Sequence, residues 1–491
     1  MMSYVVLYVY LCDFENISQN IHHILYIMAF LAYNESMILQ KNCKMEVTSM
    51  LLEFRAKNYK SFKDELVFSM QPAPKQKGLD YSVLEKKIGS VTHKALCSAV
   101  LYGPNASGKT NIIGAMDTFK SIVLRGNIRN SDDRDSLNAA ANSLELIPNN
   151  KAEDRFPIAF EISFIEDDVH VEYSFAAEIG HFLEKDYERK IVFEQLKINS
   201  KVIFTREDGL SFDSLSSIKK FLVNEFSKNK DSAISLATSN LEDEELFLTN
   251  GFKAMFSAKL VSLITGWLDN KFIVIYRADA MQLIRKFADP NKKSVYIEKT
   301  LNEAADIFGI TSNMLGYAVD DSKTKAKLHS IFSNINGNKG VTMPAELFES
   351  YGTVRFVNIF PLVINAILNG GTLVVDEFDA SIHPTALMSI TNIFHNDEIN
   401  IHKAQLIFNT HNPIFLNSNL FRRDELKFTE RADDLGYSVQ YSLSDFGTSG
   451  ENGVRKNDDY MKSYFVSQYG AIKDIDFTPI FESLMNDRTE V

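Results

Sequence analysis

The pattern with the most specific chemistry in this chain is a phosphate-binding loop made of eight consecutive residues: Gly103, Pro104, Asn105, Ala106, Ser107, Gly108, Lys109 and Thr110. Its glycines let the backbone curl so that successive N–H groups point at phosphate oxygens. Lys109 is expected to reach the β- and γ-phosphates, and Thr110 to place its hydroxyl on Mg²⁺. The loop follows an apolar run, residues 97–102, and precedes a helical pattern, which is the context that this motif requires. The sequence therefore predicts that the chain binds ATP and Mg²⁺.

Two carboxylates end a second apolar run, the sequence LVVDE at residues 373–377. Fully buried strands of a parallel sheet have this composition, and ligands bind at the carboxyl ends of such strands. Asp376 is expected to hold Mg²⁺ through water, and Glu377 to polarise the attacking water. The alternative is an acidic pair that only closes a core strand. The phosphate loop upstream favours the catalytic interpretation.

Two further patterns belong with these. A third apolar run, residues 406–411, ends at His411, which we expect beside Glu377, where it would sense the γ-phosphate or orient the water.

Residues 347–353 precede a predicted helix, so Ser350 or Thr353 suits an N-cap. A Ser350-x-Gly352 turn at a helix N-terminus is also an anion site.

The elements that position these residues follow from periodicity. Residues 45–214 combine two strands within 51–70, the phosphate loop and an alternating region, 156–212, typical of about four antiparallel strands. Helical spacing over 215–345 predicts an inserted helical lobe. Residues 346–491 return to alternating strands and helices and end in a mixed tail. The sequence thus predicts an α/β fold with a mixed or parallel sheet, an antiparallel β subdomain and a helical insertion.

Composition narrows the functional classes. The chain has 491 residues with 52 Lys and Arg against 64 Asp and Glu, a net charge of −12, which argues against coating nucleic acid by bulk attraction. A local basic groove for DNA stays possible. Three scattered cysteines, Cys12, Cys43 and Cys97, exclude a disulfide framework or a thiolate metal site. We expect a cytoplasmic protein without a membrane partner.

Residues 1–44 differ from the rest of the chain. Their apolar segment, residues 24–33, is too short to span a bilayer, and no Lys or Arg precedes Lys41 as a signal peptide would require. Met45 and Met50 stand just before the first predicted strand. We favour an over-called start or a dispensable extension. A packed helix that contacts a partner and a membrane anchor are the other interpretations.

The motifs together resemble a known group of ATPases. The residues that carry the resemblance are NYKSF at 58–62, GPNASGKT, ESYGT at 349–353, VVDEFDASIHP at 374–384, AQLIFNTHNP at 404–413, RRDELKF at 422–428 and SQYGAI at 467–472. Their order resembles the ABC-type ATPases of the SMC, RecF and OLD kind. The closer likeness is to the AAA15/AAA21-type ATPases of bacterial phage-defence operons, among them AbiL-type ATPases and the ATPase subunit of the PARIS system.

The resemblance implies an ATPase head that forms a head-to-tail dimer or larger oligomer with ATP between facing subunits. Ser350 and Gly352 would then belong to a signature loop that closes over the nucleotide of the second head. In a single head this loop and the phosphate loop are expected on well-separated surfaces. By position, Asp379 resembles the residue that communicates across the dimer, and Lys60 a basic residue near the nucleotide.

Three functions fit these expectations to different degrees. The first is a sensor and regulator ATPase of an anti-phage system, which answers a phage-encoded trigger and controls a separate effector. The residues after Pro413 show no Toprim arrangement, so a Toprim or RloB-like nuclease would be another protein. The second is a DNA-repair or chromosome ATPase of the RecF/SMC type, which the acidic charge and the absence of a long coiled-coil pattern disfavour. The third, a transporter subunit, fits the Glu349–Thr353 motif poorly.

Overall fold

The computed structural model describes residues 49–129, 144–152, 156–222, 230–277, 302–307, 313–319, 326–332 and 341–489, apart from short gaps at 75, 77, 183, 185–186, 214, 433–435, 450–452 and 474. The predicted extension, residues 1–44, lies outside the described residues, so its interpretation stays a prediction.

The described strands and helices follow one another along the chain. The strands are β1 (Ser49–Lys57), β2 (Leu66–Ser69), β3 (Val83–Ile88), β4 (Val91–Leu96), β5 (Ser98–Tyr102), β6 (Ile158–Glu166), β7 (Val169–Glu178), β8 (Lys190–Ile198), β9 (Lys201–Arg206), β10 (Leu210–Phe212), β11 (Phe272–Ile275), β12 (Met314–Val319), β13 (Ala326–Phe332), β14 (Val341–Pro344), β15 (Thr372–Val375), β16 (Gln405–Asn409), β17 (Leu426–Arg431) and β18 (Ser438–Ser442). The α-helices are α1 (Lys109–Arg125), α2 (Lys230–Ser239), α3 (Lys253–Met255), α4 (Ala258–Asn270), α5 (Ala345–Phe348), α6 (Tyr351–Asn369), α7 (Pro384–Phe394), α8 (Tyr460–Phe465) and α9 (Thr478–Thr489).

A six-stranded sheet with the order β11-β15-β16-β5-β17-β18 carries the predicted motifs. Every neighbouring pair is parallel except β17 and β18, which are antiparallel. Consequently β5, β15 and β16, the three strands that precede the predicted chemical residues, end at the same edge of the sheet. This edge is where parallel α/β sheets bind their ligands.

Both faces of this sheet are buried, each in its own hydrophobic cluster. Along β5, Ala99 and Leu101 face the cluster that contains α1 and α4, whereas Val100 and Tyr102 face the cluster that contains α6 and α7. Successive side chains of a strand point to opposite faces, so a strand covered on both sides must be apolar throughout. This explains the uninterrupted apolar runs that end in polar clusters.

A second, seven-stranded antiparallel sheet has the order β10-β9-β8-β7-β6-β1-β2. It confirms the two strands expected within 51–70 and the antiparallel region expected over 156–212. Helix α1 packs on this sheet through Phe119, whose ring stacks on Phe175 at 5.6 Å between centroids and 13° between planes. The phosphate-loop helix is therefore held between the two sheets.

The expected helical lobe, residues 215–345, contains more than helices. Strand β11 pairs in parallel with β15 and so belongs to the central sheet. Strands β12, β13 and β14 form a separate three-stranded sheet. The prediction missed β11 because a four-residue apolar run, FIVI, cannot be told from a helical segment by periodicity. Within the described part of the chain, α6 alone has the length and apolar composition of a membrane span, and its buried residues belong to the core.

Candidate functional site

The carboxyl ends of the central strands open into a cavity of about 720 Å³, within the usual size of a small-ligand site. Its lining combines the phosphate loop and the adjacent Asn111 with residues from six other parts of the chain: Asn105, Ala106, Ser107, Gly108, Lys109, Thr110, Asn111, Ser61, Arg277, Tyr351, Arg355, Asp376, Glu377, Asp379, Asn409, Thr410, His411 and Arg431. The structure therefore brings together most of the site residues that the sequence predicted.

The phosphate loop joins β5 to α1, as its sequence context predicts. Its two glycines have φ of +152° (Gly103) and +112° (Gly108), which L side chains rarely adopt. A Cβ at Gly103 would lie 2.2 Å from the carbonyl oxygen of Thr429, and one at Gly108 would lie 2.8 Å from the hydroxyl of Ser438. Glycine is thus required at both positions by conformation and by space.

Lys109 is buried at the base of the cavity. Its Nζ donates to the carbonyl oxygens of Gly103 at 2.7 Å and Pro104 at 2.9 Å, which fixes the ammonium beside the loop. Burial lowers the pKa of Lys109 to about 8, and the carboxylates of Asp376, Asp379 and Glu377 oppose this shift. The ammonium therefore lies where phosphate oxygens cradled by the loop would meet it.

The carboxylate of Asp376 accepts three hydrogen bonds at the end of β15. Its Oδ1 accepts from the hydroxyl of Thr110 at 3.1 Å and from the amide of Asn409 at 2.6 Å. Its Oδ2 accepts from the backbone N–H of Arg277 at 3.4 Å. A carboxylate and a hydroxyl in contact, both oxygen donors, suit Mg²⁺, which binds few protein groups together with substrate phosphates. Thr110 and Asp376 are therefore the residues that would hold the ion.

Glu377 projects into the cavity from a strained backbone. Its φ is +52°, and a left-handed non-glycine residue costs on the order of 1–3 kcal/mol. Its N–H donates to Oδ1 of Asn409, and its carbonyl oxygen accepts from Nη2 of Arg355 at 2.8 Å. The side chain is exposed to the cavity, as a group that polarises water must be. Strain that the surroundings maintain at such a position is typical of functional sites.

His411 and Asp379 meet at the end of β16. The carboxylate Oδ2 of Asp379 accepts from the hydroxyl of Thr410 at 2.7 Å and from the N–H of His411 at 3.2 Å. Partial burial, and next the charge of Lys109, lower the pKa of His411, so its imidazole is neutral near pH 7. A neutral imidazole in the same cavity as Glu377 can orient water or contact a phosphate.

The Ser350–Gly352 turn lies at the start of α6. Ser350 caps α6, because its Oγ accepts from the N–H of Thr353 at 3.1 Å. Gly352 is packed so tightly that a Cβ would lie 2.0 Å from the carbonyl oxygen of Ser381. Tyr351 lines the same cavity as Lys109. The start of α6 therefore reaches the cavity through Tyr351, whereas Ser350 and Gly352 do not line it, and the separation expected between this turn and the phosphate loop stays a prediction.

Lys60 lies beside the cavity without lining it. Its Nζ contacts Glu145 and donates to the hydroxyl of Tyr276 at 3.0 Å. Its neighbour Ser61 does line the cavity, and the Ser61 hydroxyl accepts from Nδ2 of Asn111 at 2.8 Å. The basic residue predicted near the nucleotide is thus engaged with a carboxylate of the chain.

Sequence reasoning missed eight polar or aromatic residues of the cavity: Ser61, Asn111, Arg277, Tyr351, Arg355, Asn409, Thr410 and Arg431. Asn409 had a signal, because it is the last residue of a buried strand at the same edge as the carboxylates. Arg277 follows β11, whose assignment to the helical lobe concealed it. Arg355 lies inside a helix whose apolar pattern gives no sign of its polar contacts.

One family model matches residues 98–417, about two thirds of the chain, from the first residue of β5 to just beyond His411. The family is described as "AAA domain, putative AbiEii toxin, Type IV TA system". No curated protein shows significant similarity to the chain. The match covers the strand, loop and helix of the phosphate site together with the carboxylate and histidine strands. On this match and this geometry, the chain belongs to the AAA-domain family of putative AbiEii toxins, a family of P-loop ATPase folds.

Proposed function

We propose that this protein binds ATP with Mg²⁺ in the cavity and hydrolyses it to ADP and phosphate. The observation that carries the proposal is the convergence of Lys109, Thr110, Asp376 and Glu377 on one cavity lined by the phosphate loop. A cation, two metal-binding oxygens and a carboxylate that reaches water are the groups that phosphoryl transfer to water requires.

Each residue has a role that its contacts support. The loop N–H groups and Lys109 bind the β- and γ-phosphates and neutralise their charge. Thr110 and Asp376 hold Mg²⁺, which supplies further charge neutralisation when it is bound. Glu377 accepts a proton from the attacking water as general base. His411, held through Asp379, orients that water or contacts the γ-phosphate.

We further infer that the ATPase is the regulatory subunit of a bacterial defence system and works with a separate effector in the cytoplasm. The family description, which names a putative toxin of a type IV toxin–antitoxin system, supports a place in such a system, and the resemblance to phage-defence ATPases supports the regulatory role. Exposed apolar side chains beside the cavity support contact with a second copy of the chain. They are Leu347, Phe348 and Tyr351, which are 77%, 51% and 53% exposed.

Two experiments test this proposal in order. Purified chain should hydrolyse ATP, and Lys109→Ala should abolish the activity. Next, the chain is co-purified with the product of its neighbouring gene, with and without ATP, from wild type and from Lys109→Ala. Nucleotide-dependent retention of a nuclease supports the defence role. Retention of recombination proteins, or ATP-dependent binding of DNA by the chain alone, would instead support a repair ATPase.

A further inference from the structure

The backbone of Glu377 forms hydrogen bonds with side chains from two different elements. From β16, Oδ1 of Asn409 accepts the N–H of Glu377. From α6, Nη2 of Arg355 donates to the carbonyl oxygens of Asp376 at 3.2 Å and Glu377 at 2.8 Å. The two contacts hold both ends of a residue whose φ is +52°. Because φ and ψ set the direction of the Cα–Cβ bond, they also set the direction of the carboxylate.

Arg355 is placed to act on this backbone from the helix side. It is 3% exposed, and it lies four residues after Tyr351, one helical turn further along α6. Both hydrogen bonds come from Nη2, whose two N–H groups have directions fixed by the planar guanidinium, so one nitrogen reaches two successive carbonyl oxygens. Lysine carries the same charge but presents it as a point on a flexible stem.

We propose that Arg355 is a positioning residue for ATP hydrolysis that maintains the left-handed conformation of Glu377. This inference rests on the proposed ATPase function. Without the donors of Arg355, Glu377 relaxes toward negative φ, which L residues favour, and its carboxylate moves relative to the loop and to Asp376. A displacement of about 1 Å in a reacting group costs about 10²-fold in rate. The binding of ATP, which depends on the loop and on Lys109, is left nearly intact.

The test compares Arg355→Gln and Arg355→Lys, each made in the wild-type chain and in Glu377→Gln. In the wild-type background we expect kcat to fall about 30- to 100-fold in both variants, with KM and the ATP dissociation constant within about threefold. In Glu377→Gln the same substitutions should lower kcat no further, because the carboxylate that Arg355 positions is already absent.

The matched control is Arg423→Gln. Arg423 is also a buried arginine that donates to two backbone carbonyls, those of Gly447 and Val454, and it does not line the cavity. We expect its substitution to lower Tm and leave kcat of the folded protein near the wild-type value. A fall in kcat that matches that of Arg355→Gln would show that kcat responds to general destabilisation and would overturn the proposal.

Other results separate the two hypotheses. Wild-type kcat in Arg355→Gln, in a chain whose hydrolysis depends on Lys109, would refute the positioning role and leave the ATPase function standing. So would a loss confined to ATP affinity, or a full additional loss in Glu377→Gln. If Arg355→Gln does not fold, Arg355→Lys provides the same comparison. A wild-type chain that neither binds nor hydrolyses ATP would refute the proposed function, and with it this inference.

Discussion

The buried ammonium of Lys109 makes ATP binding depend on pH between about 7 and 9. Because its pKa in the free protein is about 8, the side chain is about nine-tenths protonated at pH 7 and about nine-tenths neutral at pH 9. Phosphate binds the charged form. The affinity for ATP is therefore greatest below about pH 7 and falls as the pH rises through 8. The fall is about tenfold per pH unit until the pH reaches the pKa of Lys109 in the ATP complex. Above pH 8, where Lys109 is mostly neutral in the free protein, the binding of ATP must be accompanied by the uptake of a proton by Lys109.

The assay is isothermal titration of ATP at pH 7.0 and 9.5, in buffers of different ionisation enthalpy, so that proton uptake is counted as well as affinity. We expect about 10- to 30-fold weaker binding at pH 9.5. Lys109→Ala should bind about 10²- to 10⁴-fold more weakly at pH 7, since about two charge-assisted hydrogen bonds of about 1.5–3 kcal/mol each are lost. It should also lose the pH dependence. A wild-type affinity that is equal at the two pH values, with no proton uptake, would refute the lowered pKa of Lys109, and a wild-type affinity in Lys109→Ala would refute the assignment of Lys109 to the phosphates.

Three other predictions address the remaining residues. Glu377→Gln should bind ATP like wild type and hydrolyse it about 10²- to 10⁴-fold more slowly, because an amide cannot accept the proton of water; equal rates would remove Glu377 as the base. A chain that begins at Met45 or Met50 should fold and hydrolyse ATP like the full chain; insolubility would mean that residues 1–44 pack on the rest. Ser350→Arg should nearly abolish hydrolysis, whereas Ser350→Asn, which keeps an N-cap, should retain it; mixing Ser350→Arg with Lys109→Ala should restore part of the activity if the sites are composite.

Much of the candidate site could be predicted because each chemical residue follows a strand that is buried on both faces. The strands before Gly103, Asp376 and His411 have apolar centres and are buried at every position, and parallel strands end at one edge. The site residues therefore had to converge wherever these strands share a sheet. No knowledge of the strand order was needed for that conclusion, although β16, between β15 and β5, turns out to bring Asn409 against Asp376.

The rest of the site depends on contacts between distant residues that leave no local pattern. In the sequence, Gly352 is only a glycine near the start of a predicted helix. The structure shows why a side chain is excluded there, because the carbonyl oxygen of Ser381 occupies the space that a Cβ would need. Arg355 sits in an apolar helix, and its function follows from two carbonyl oxygens more than 20 residues away. Strand β11 is too short for periodicity to distinguish, so Arg277 had no element to place it.

The position of Tyr351 offers a second way in which a partner could affect ATP hydrolysis by this chain. In a purely composite site, a partner supplies groups that the first chain lacks. Here the start of α6 already reaches the cavity, and Arg355, one turn later, holds the backbone of Glu377. A partner that contacts Tyr351 would therefore contact α6, the helix that carries Arg355, and one that contacts Leu347 or Phe348 would contact α5, which directly precedes it. Partner dependence would then appear in kcat even if the partner touched no phosphate. A partner could thus act in two ways, by supplying groups to the nucleotide or by acting through α6 on Glu377. Mixing Lys109→Ala with Ser350→Arg does not separate these two ways by itself. Arg355→Gln must be measured as well, because it removes the contact between α6 and Glu377 and leaves the Ser350 cap in place.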